Sequence, residues 1–336
     1  MLALDAKQYA RGLMILREQF NFDGILVSVH GHAKNWRSRI KKLEMINGLQ
    51  MAEFEEHHEK YPDDDLPVGE YIDSREKSLD EINPDEIPEN LDYIAASKDC
   101  ISWIDNKDPY RVFRILQQEL KCRYSIHGEV SSPFDYLLDL LGYENALLNL
   151  MMQPEKIKKI LQKYTCGVIR MAVGLCTQDI DAIKISSPFT GMGFISPQQY
   201  RLFEFPYISQ IVEAIKNKDK FVYIHTCGHI NDRLEIMRDT GADGLECLDP
   251  PPIGNVELED AFNRIGKDMF IKGNIDPVNT LLNGTKEEIS IDVKKRLEIG
   301  MSNPGFILST ACSIAPKVDA EKVKLLSRIV EENSYY

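Results

Sequence analysis

A chain of 336 residues, 43% hydrophobic and 28% charged, carries enough apolar content for a large core, yet it has no run of about 18 apolar residues that would span a bilayer. Its formal net charge of −13 argues against non-specific nucleic-acid binding and against anionic membranes, since both reward a basic surface. Seven cysteines, an odd number without a tight repeat, and an amphipathic N-terminus lacking a signal-peptide core argue against a disulfide framework and point to the reducing cytoplasm.

Residues 1–20 read as a helix that feeds a short buried-strand pattern at 22–29. Residues 37–60, rich in Lys, Arg, Glu and His, read as a polar helix with a solvated face, and His57 and His58 as exposed positions on it. Pro62, Pro67, Pro84 and Pro88 among many acidic residues mark 61–98 as an exposed insertion with one short strand.

From about residue 106 the order becomes regular. Helices are expected at 108–119, 133–150, 154–174, 197–216, 230–240, 256–266, 285–300 and 319–332. Strands are expected at 123–130, 180–185, 221–225, 244–247, 269–273 and 306–309. Short apolar runs alternating with helices imply a parallel sheet, covered on both faces or closed into a barrel. With 22–29 the strands number seven. The eighth strand of a (β/α)8 TIM barrel would lie in 61–75 or near 101–104. An open doubly wound sheet is the alternative.

Chemistry in a barrel sits at the C-terminal ends of strands. His225 and Cys227 end one strand, Glu246 and Cys247 the next, and Cys312 follows the last. One imidazole and two thiolates suit Zn2+, and three protein ligands leave a position for water or substrate. Against this, His-x-Cys is common by chance and a buried strand-end cysteine is usually inert packing. His30 and His32 follow the first strand, and His127 follows the second. Each is a candidate to line the mouth, or else a satisfied polar residue. Gly228 is read as allowing close backbone approach at the metal loop. Cys100, Cys122, Cys166 and Cys176 show no ligand spacing and read as packing.

The stretches HTCGHINDRLEIMRDTGADGLE (225–246), KGNIDPVNTLLNGTKEEI (272–289) and GFILSTACSIAP (305–316) resemble the uroporphyrinogen decarboxylase superfamily, and within it the zinc-dependent corrinoid methyltransferase branch. HGEVSSPFDYLLDLLG (127–142) and SPFTGMGFISPQQYRLFEFPYI (187–208) agree more loosely. The resemblance implies one barrel domain over 1–336, with an acidic, proline-containing insertion at 61–98. It also implies an atypical N-terminal region, because family members usually carry a strand before the segment matching Asp23 and Gly24. The branch's zinc motif maps onto His225, Cys227 and Cys312. Glu246 falls where related enzymes offer a carboxylate, either as a fourth ligand or as a hydrogen-bond partner behind the ligands. Asn274 and Asp276, in GNIDP, take a pocket role by the same resemblance, although Asn, Asp and Pro also build turns.

Decarboxylases of the superfamily need no metal, lack the cysteine pair, and carry an Arg-Gln-Ala-Gly-Arg segment that this sequence does not have. The expectation is therefore zinc-dependent methyl transfer between a corrinoid and a small-molecule donor or acceptor, a thiol or a methoxylated aromatic. An Asp-x-His-x-x-Gly corrinoid motif is not found in the sequence, so a corrinoid protein is the expected partner. A porphyrinogen decarboxylase and a non-catalytic accessory protein of a corrinoid system are the competing readings.

Overall fold

The computed structural model describes residues 5–28, 35–55, 57–62, 68–71, 78–91, 93–95, 105, 107–120 and 123–333. Two compact units emerge: Met1–Leu16 with Gly24–Asp181, and Arg17–Asp23 with Ala182–Tyr336.

The chain opens with α1 (Ala6–Phe20) and β1 (Gly24–Val27). Then come β2 (Lys42–Ile46), β3 (Leu49–Glu53), β4 (His57–Tyr61) and β5 (Val68–Tyr71), which pair antiparallel in that order. The helix expected over 37–60 is thus a set of hairpins. Asn47 and Gly48 sit at positive φ, 53° and 81°, as a two-residue type I′ turn requires at both central positions. Ile46 faces Leu49 across that turn. His57 is not an exposed helix residue. It is buried, stacks on Phe54 at 4.6 Å, and its Nε2 lies 2.9 Å from Glu59 Oε1. Glu59 also accepts from the Tyr61 hydroxyl. Trp36, Ala52 and Phe54 form the small core of this sheet.

After α2 (Arg111–Leu120) comes β6 (Ser125–Ser131), parallel to β1. It leads into α3 (Pro133–Leu141), α4 (Tyr143–Met152) and α5 (Pro154–Cys176). Ser132 caps α3 by accepting from Asp135 N at 3.3 Å, with Pro133 at the first helical position.

In the second unit β7 (Ala182–Ser186), β8 (Phe221–Thr226), β9 (Gly244–Cys247), β10 (Phe270–Ile275) and β11 (Phe306–Thr310) lie side by side in sequence order, each parallel to the next. The connecting helices are α6 (Pro197–Phe203), α7 (Phe205–Lys216), α8 (Leu234–Arg238), α9 (Leu258–Ile265) and α10 (Lys286–Met301), and α11 (Ala320–Asn333) follows β11. One helix was expected over 197–216. Two are found, because Pro206 has no N–H for the helical ladder and the buried Glu204 carboxylate accepts from Ser187 Oγ at 2.5 Å. Ile183, Ile185, Val222, Ile224, Leu245 and Ile271 are fully buried, each worth roughly 1.5–3 kcal/mol of transfer free energy. Ile275, Leu281, Ile289, Val293, Leu297 and Ile329 form a second apolar cluster.

Seven parallel strands are thus found among the described residues. Among the described residues of 61–75, β5 pairs antiparallel and does not supply the eighth, and 63–67, 72–75 and 101–104 lie outside the described residues. No described helix is long and apolar enough to cross a membrane.

Candidate metal centre

Register builds the site. Parallel strands place paired residues on the same face, and the pairs run Lys184 with Tyr223, His225 with Glu246, and Glu246 with Lys272. A polar row therefore crosses β7 to β10 through an otherwise apolar sheet. Glu246 is its hub. Its Oε2 lies 2.9 Å from His225 Nδ1 and 3.6 Å from Lys184 Nζ, and its Oε1 lies 2.5 Å from Lys272 Nζ. Burial opposes the Glu246 charge, but Lys184 first, then the His225 ring and Lys272, hold its carboxyl well below the usual range. Lys272 Nζ also sits 5.2 Å from the Tyr223 ring centre.

His225 Nδ1 faces Glu246, so Nε2 is left for the cluster at the strand ends. It lies 3.2 Å from Cys227 Sγ, and Cys227 Sγ lies 3.6 Å from Cys312 Sγ. Burial disfavours a charged ring, yet the bonds to Cys227, Cys312 and Glu246 outweigh it and raise the His225 pKa well above its ordinary value. Cys312 is driven far down by Cys227, then Cys247 and His225. A tetrahedral zinc with bonds of about 2.3 Å to sulfur needs sulfurs about 3.8 Å apart, close to the spacing found. The donor set fits the metal.

Sequence reasoning placed His225, Cys227 and Cys312 at strand ends, and they meet there. Glu246 faces the other side of the ring, its oxygens toward His225 Nδ1, Lys184 Nζ and Lys272 Nζ, the arrangement of the hydrogen-bond alternative. It orients the imidazole from behind. Cys247 was noted only as a strand-end residue. Its thiol belongs to the same group, with its sulfur and the ligand atoms of His225 and Cys227 all within 4.8 Å of one another.

Asn274 is fully buried and bridges elements. Its Nδ2 donates to Leu248 O at 2.9 Å and to Val256 O at 3.4 Å, and its Oδ1 accepts from Arg296. Asp276 caps the helical turn Pro277–Leu282, accepting from Val278 N and Asn279 N at 2.8 Å each. The turn alternative describes Asp276, and Asn274 is a cross-brace without a free amide atom. His127 is the third of the seven residues of β6, toward the strand's N-terminal end and not its C-terminal end. Its Nε2 lies 2.8 Å from Ser125 Oγ. His30 and His32 lie outside the described residues.

The loop after β8 is pinned by residues the sequence reading passed over. Gly228 N donates to Asp249 Oδ2 at 2.6 Å, and burial raises the Asp249 pKa. Gly228 is required by its φ of 77° and not by a close approach, for a Cβ there would meet nothing within 4 Å. Arg233 is fully buried and donates to Thr190 O and Ile195 O at 2.6 and 3.0 Å, fastening the β7 loop to the β8 loop. Cys166 and Cys176 lie on α5 and form no disulfide, whereas Cys100 and Cys122 lie outside the described residues.

The sequence profile of the family described as Uroporphyrinogen decarboxylase (URO-D) matches residues 85–333. A "Methylcobamide:CoM methyltransferase MtbA" of Methanosarcina acetivorans is 27% identical over 213 residues, 62% of this chain and 60% of that protein. The chain thus spans 60% of that relative's length. A "Uroporphyrinogen decarboxylase" of Ruthia magnifica is 28% identical over 262 residues, 76% of this chain and 70% of that protein. Among solved structures, a "methyltransferase from Methanosarcina mazei" superposes with a TM-score of 0.70 at 18% identity, covering 98% of this chain and 86% of that one. The fold class read from the sequence is the one found: an α/β, TIM-barrel-like fold of the uroporphyrinogen decarboxylase type.

Proposed function

The chain belongs to the uroporphyrinogen decarboxylase family, and on that premise we propose that it is a zinc-dependent methyltransferase, moving a methyl group between a corrinoid held by a partner protein and a small substrate. The observation that carries this reading is the donor set. His225 Nε2, Cys227 Sγ and Cys312 Sγ converge where β8 and β11 end, and a metal-free decarboxylation has no task for a thiol pair.

Zinc at this position supplies Lewis acidity, stabilising the anionic form of a bound thiol or polarising an ether oxygen. The chain's own residues do the rest. Cys227 and Cys312 offer thiolates that neutralise the ion. Glu246 fixes the His225 ring through Nδ1 and so keeps Nε2 aimed at the cluster. Lys184 and Lys272 keep Glu246 ionised. Asp249 holds the turn after Cys227 through Gly228 N. His30 and His127 are candidates by their sequence placement at strand ends, and Asn274 by the family resemblance. For Asn274 the supported role is positioning, because its amide is fully engaged.

A porphyrinogen decarboxylase is the second reading, favoured by relatives of that name at similar identity. One assay separates the two: the methylation state of cobalt, followed spectroscopically with zinc-loaded and zinc-free protein across corrinoid proteins and methyl donors. Zinc-dependent gain or loss of the cobalt methyl group is the expected result. Decarboxylation of a porphyrinogen without zinc-dependent methyl transfer would overturn it.

A further inference from the structure

The zinc reading leaves one sulfur of the cluster without a task. Cys247 is fully buried at the last position of β9. Strand alternation sends neighbouring side chains to opposite faces, and Glu246 already faces the polar row. Cys247 should therefore point away from His225. It does not. Its backbone takes φ 88°, in the left-handed region, and its sulfur lies within 4.8 Å of the ligand atoms of His225 and Cys227. It also contacts the thiol of Cys312. Backbone held in that region by a non-glycine residue is a feature that clusters at functional sites. The other candidate for a fourth ligand, Glu246, has both oxygens committed to His225, Lys184 and Lys272.

We propose that Cys247 is the fourth protein ligand, so that the substrate-free protein holds its zinc with one imidazole and three thiolates. This rests on the zinc reading above and adds to it. Four protein ligands make a closed site, where three would leave a water position. A thiol substrate would then have to displace Cys247, its proton passing to the Cys247 sulfur, so that the number of thiolates at the site would stay constant.

X-ray absorption on the zinc-loaded full chain tests this without a variant. The expected first shell is three sulfurs at about 2.3 Å and one nitrogen at about 2.0–2.1 Å. Two sulfurs with two nitrogen or oxygen neighbours would overturn the role of Cys247 and leave the zinc reading standing. A chain that binds no zinc would sink both. In the cobalt-substituted protein, Cys247→Ser should lower the sulfur-to-metal charge-transfer absorption by about one third, one thiolate of three. An unchanged band would also overturn the proposal.

Discussion

The antiparallel sheet of 42–71 and the parallel strands β7 to β11 both carry charged and histidine side chains, yet only the second sheet was readable from sequence. The difference lies in what flanks the polar residues. In β8 the run Phe221–Thr226 is apolar except at its end, and five of its six residues are buried, so His225 stands out as a polar group at a strand terminus. In β4 the run His57–Tyr61 is polar almost throughout, with burial alternating only at its start. There the buried His57 and Glu59 satisfy each other. A buried polar group closed on its own partner is architecture, whereas one at the end of a buried strand, facing thiols, is a site.

The largest effect that would break this comparison is on the metal. Cys312→Ala should remove most of the zinc. The affinity loss should exceed the roughly 10–100-fold that changes behind the ligands cost, because a thiolate contributes both charge and covalency. Chelator competition measures it. Full zinc retention in both Cys312→Ala and Cys227→Ala would reduce the cluster to packing, no different in kind from His57 and Glu59.

Glu246→Gln sharpens the same contrast at a smaller scale. The amide still accepts from His225 Nδ1 but no longer neutralises Lys184 and Lys272. Zinc affinity should fall by roughly 10–100-fold, less than in Cys312→Ala. A loss equal to that of Cys312→Ala would restore Glu246 to the first coordination shell.

What was legible follows from where the signal lay in the chain. The three proposed ligands His225, Cys227 and Cys312 could be singled out because strand ends are located by apolar runs and the donor types are specific. The role of Glu246 was legible only as a pair of alternatives, since its placement depends on register with β8 and β10. Cys247 was hidden by the alternation rule, which its left-handed backbone breaks. Asn274 took its pocket role from the family resemblance, and its bracing contacts were hidden because the partners of its amide, Leu248, Val256 and Arg296, are 18 to 26 residues away. The hairpins of 42–61 were missed for a different reason. The charge pattern was read as a helix face, while the two-residue Asn-Gly signal between Ile46 and Leu49 decided the local structure.

That last point yields the smallest prediction, and one whose sign decides it. If 37–60 were a helix, Gly48 would be an interior helical residue, and Gly48→Ala would stabilise by roughly 0.5–1 kcal/mol through the lower entropy of the unfolded chain. In the hairpin, Gly48 sits at φ 81°. A Cβ there meets nothing within 4 Å, so the change tests backbone conformation alone and not packing. An L side chain in that region costs roughly 1–2 kcal/mol, and the entropy gain offsets only part of it. Gly48→Ala should therefore destabilise the β2–β3 pairing by about 1 kcal/mol, seen as faster amide exchange across 42–53. Gly48→Asn should lose less, since asparagine tolerates positive φ. Zinc affinity should be unchanged in both, because the proposed ligands His225, Cys227 and Cys312 all belong to the other compact unit. Slower exchange in Gly48→Ala would return the segment to a helix.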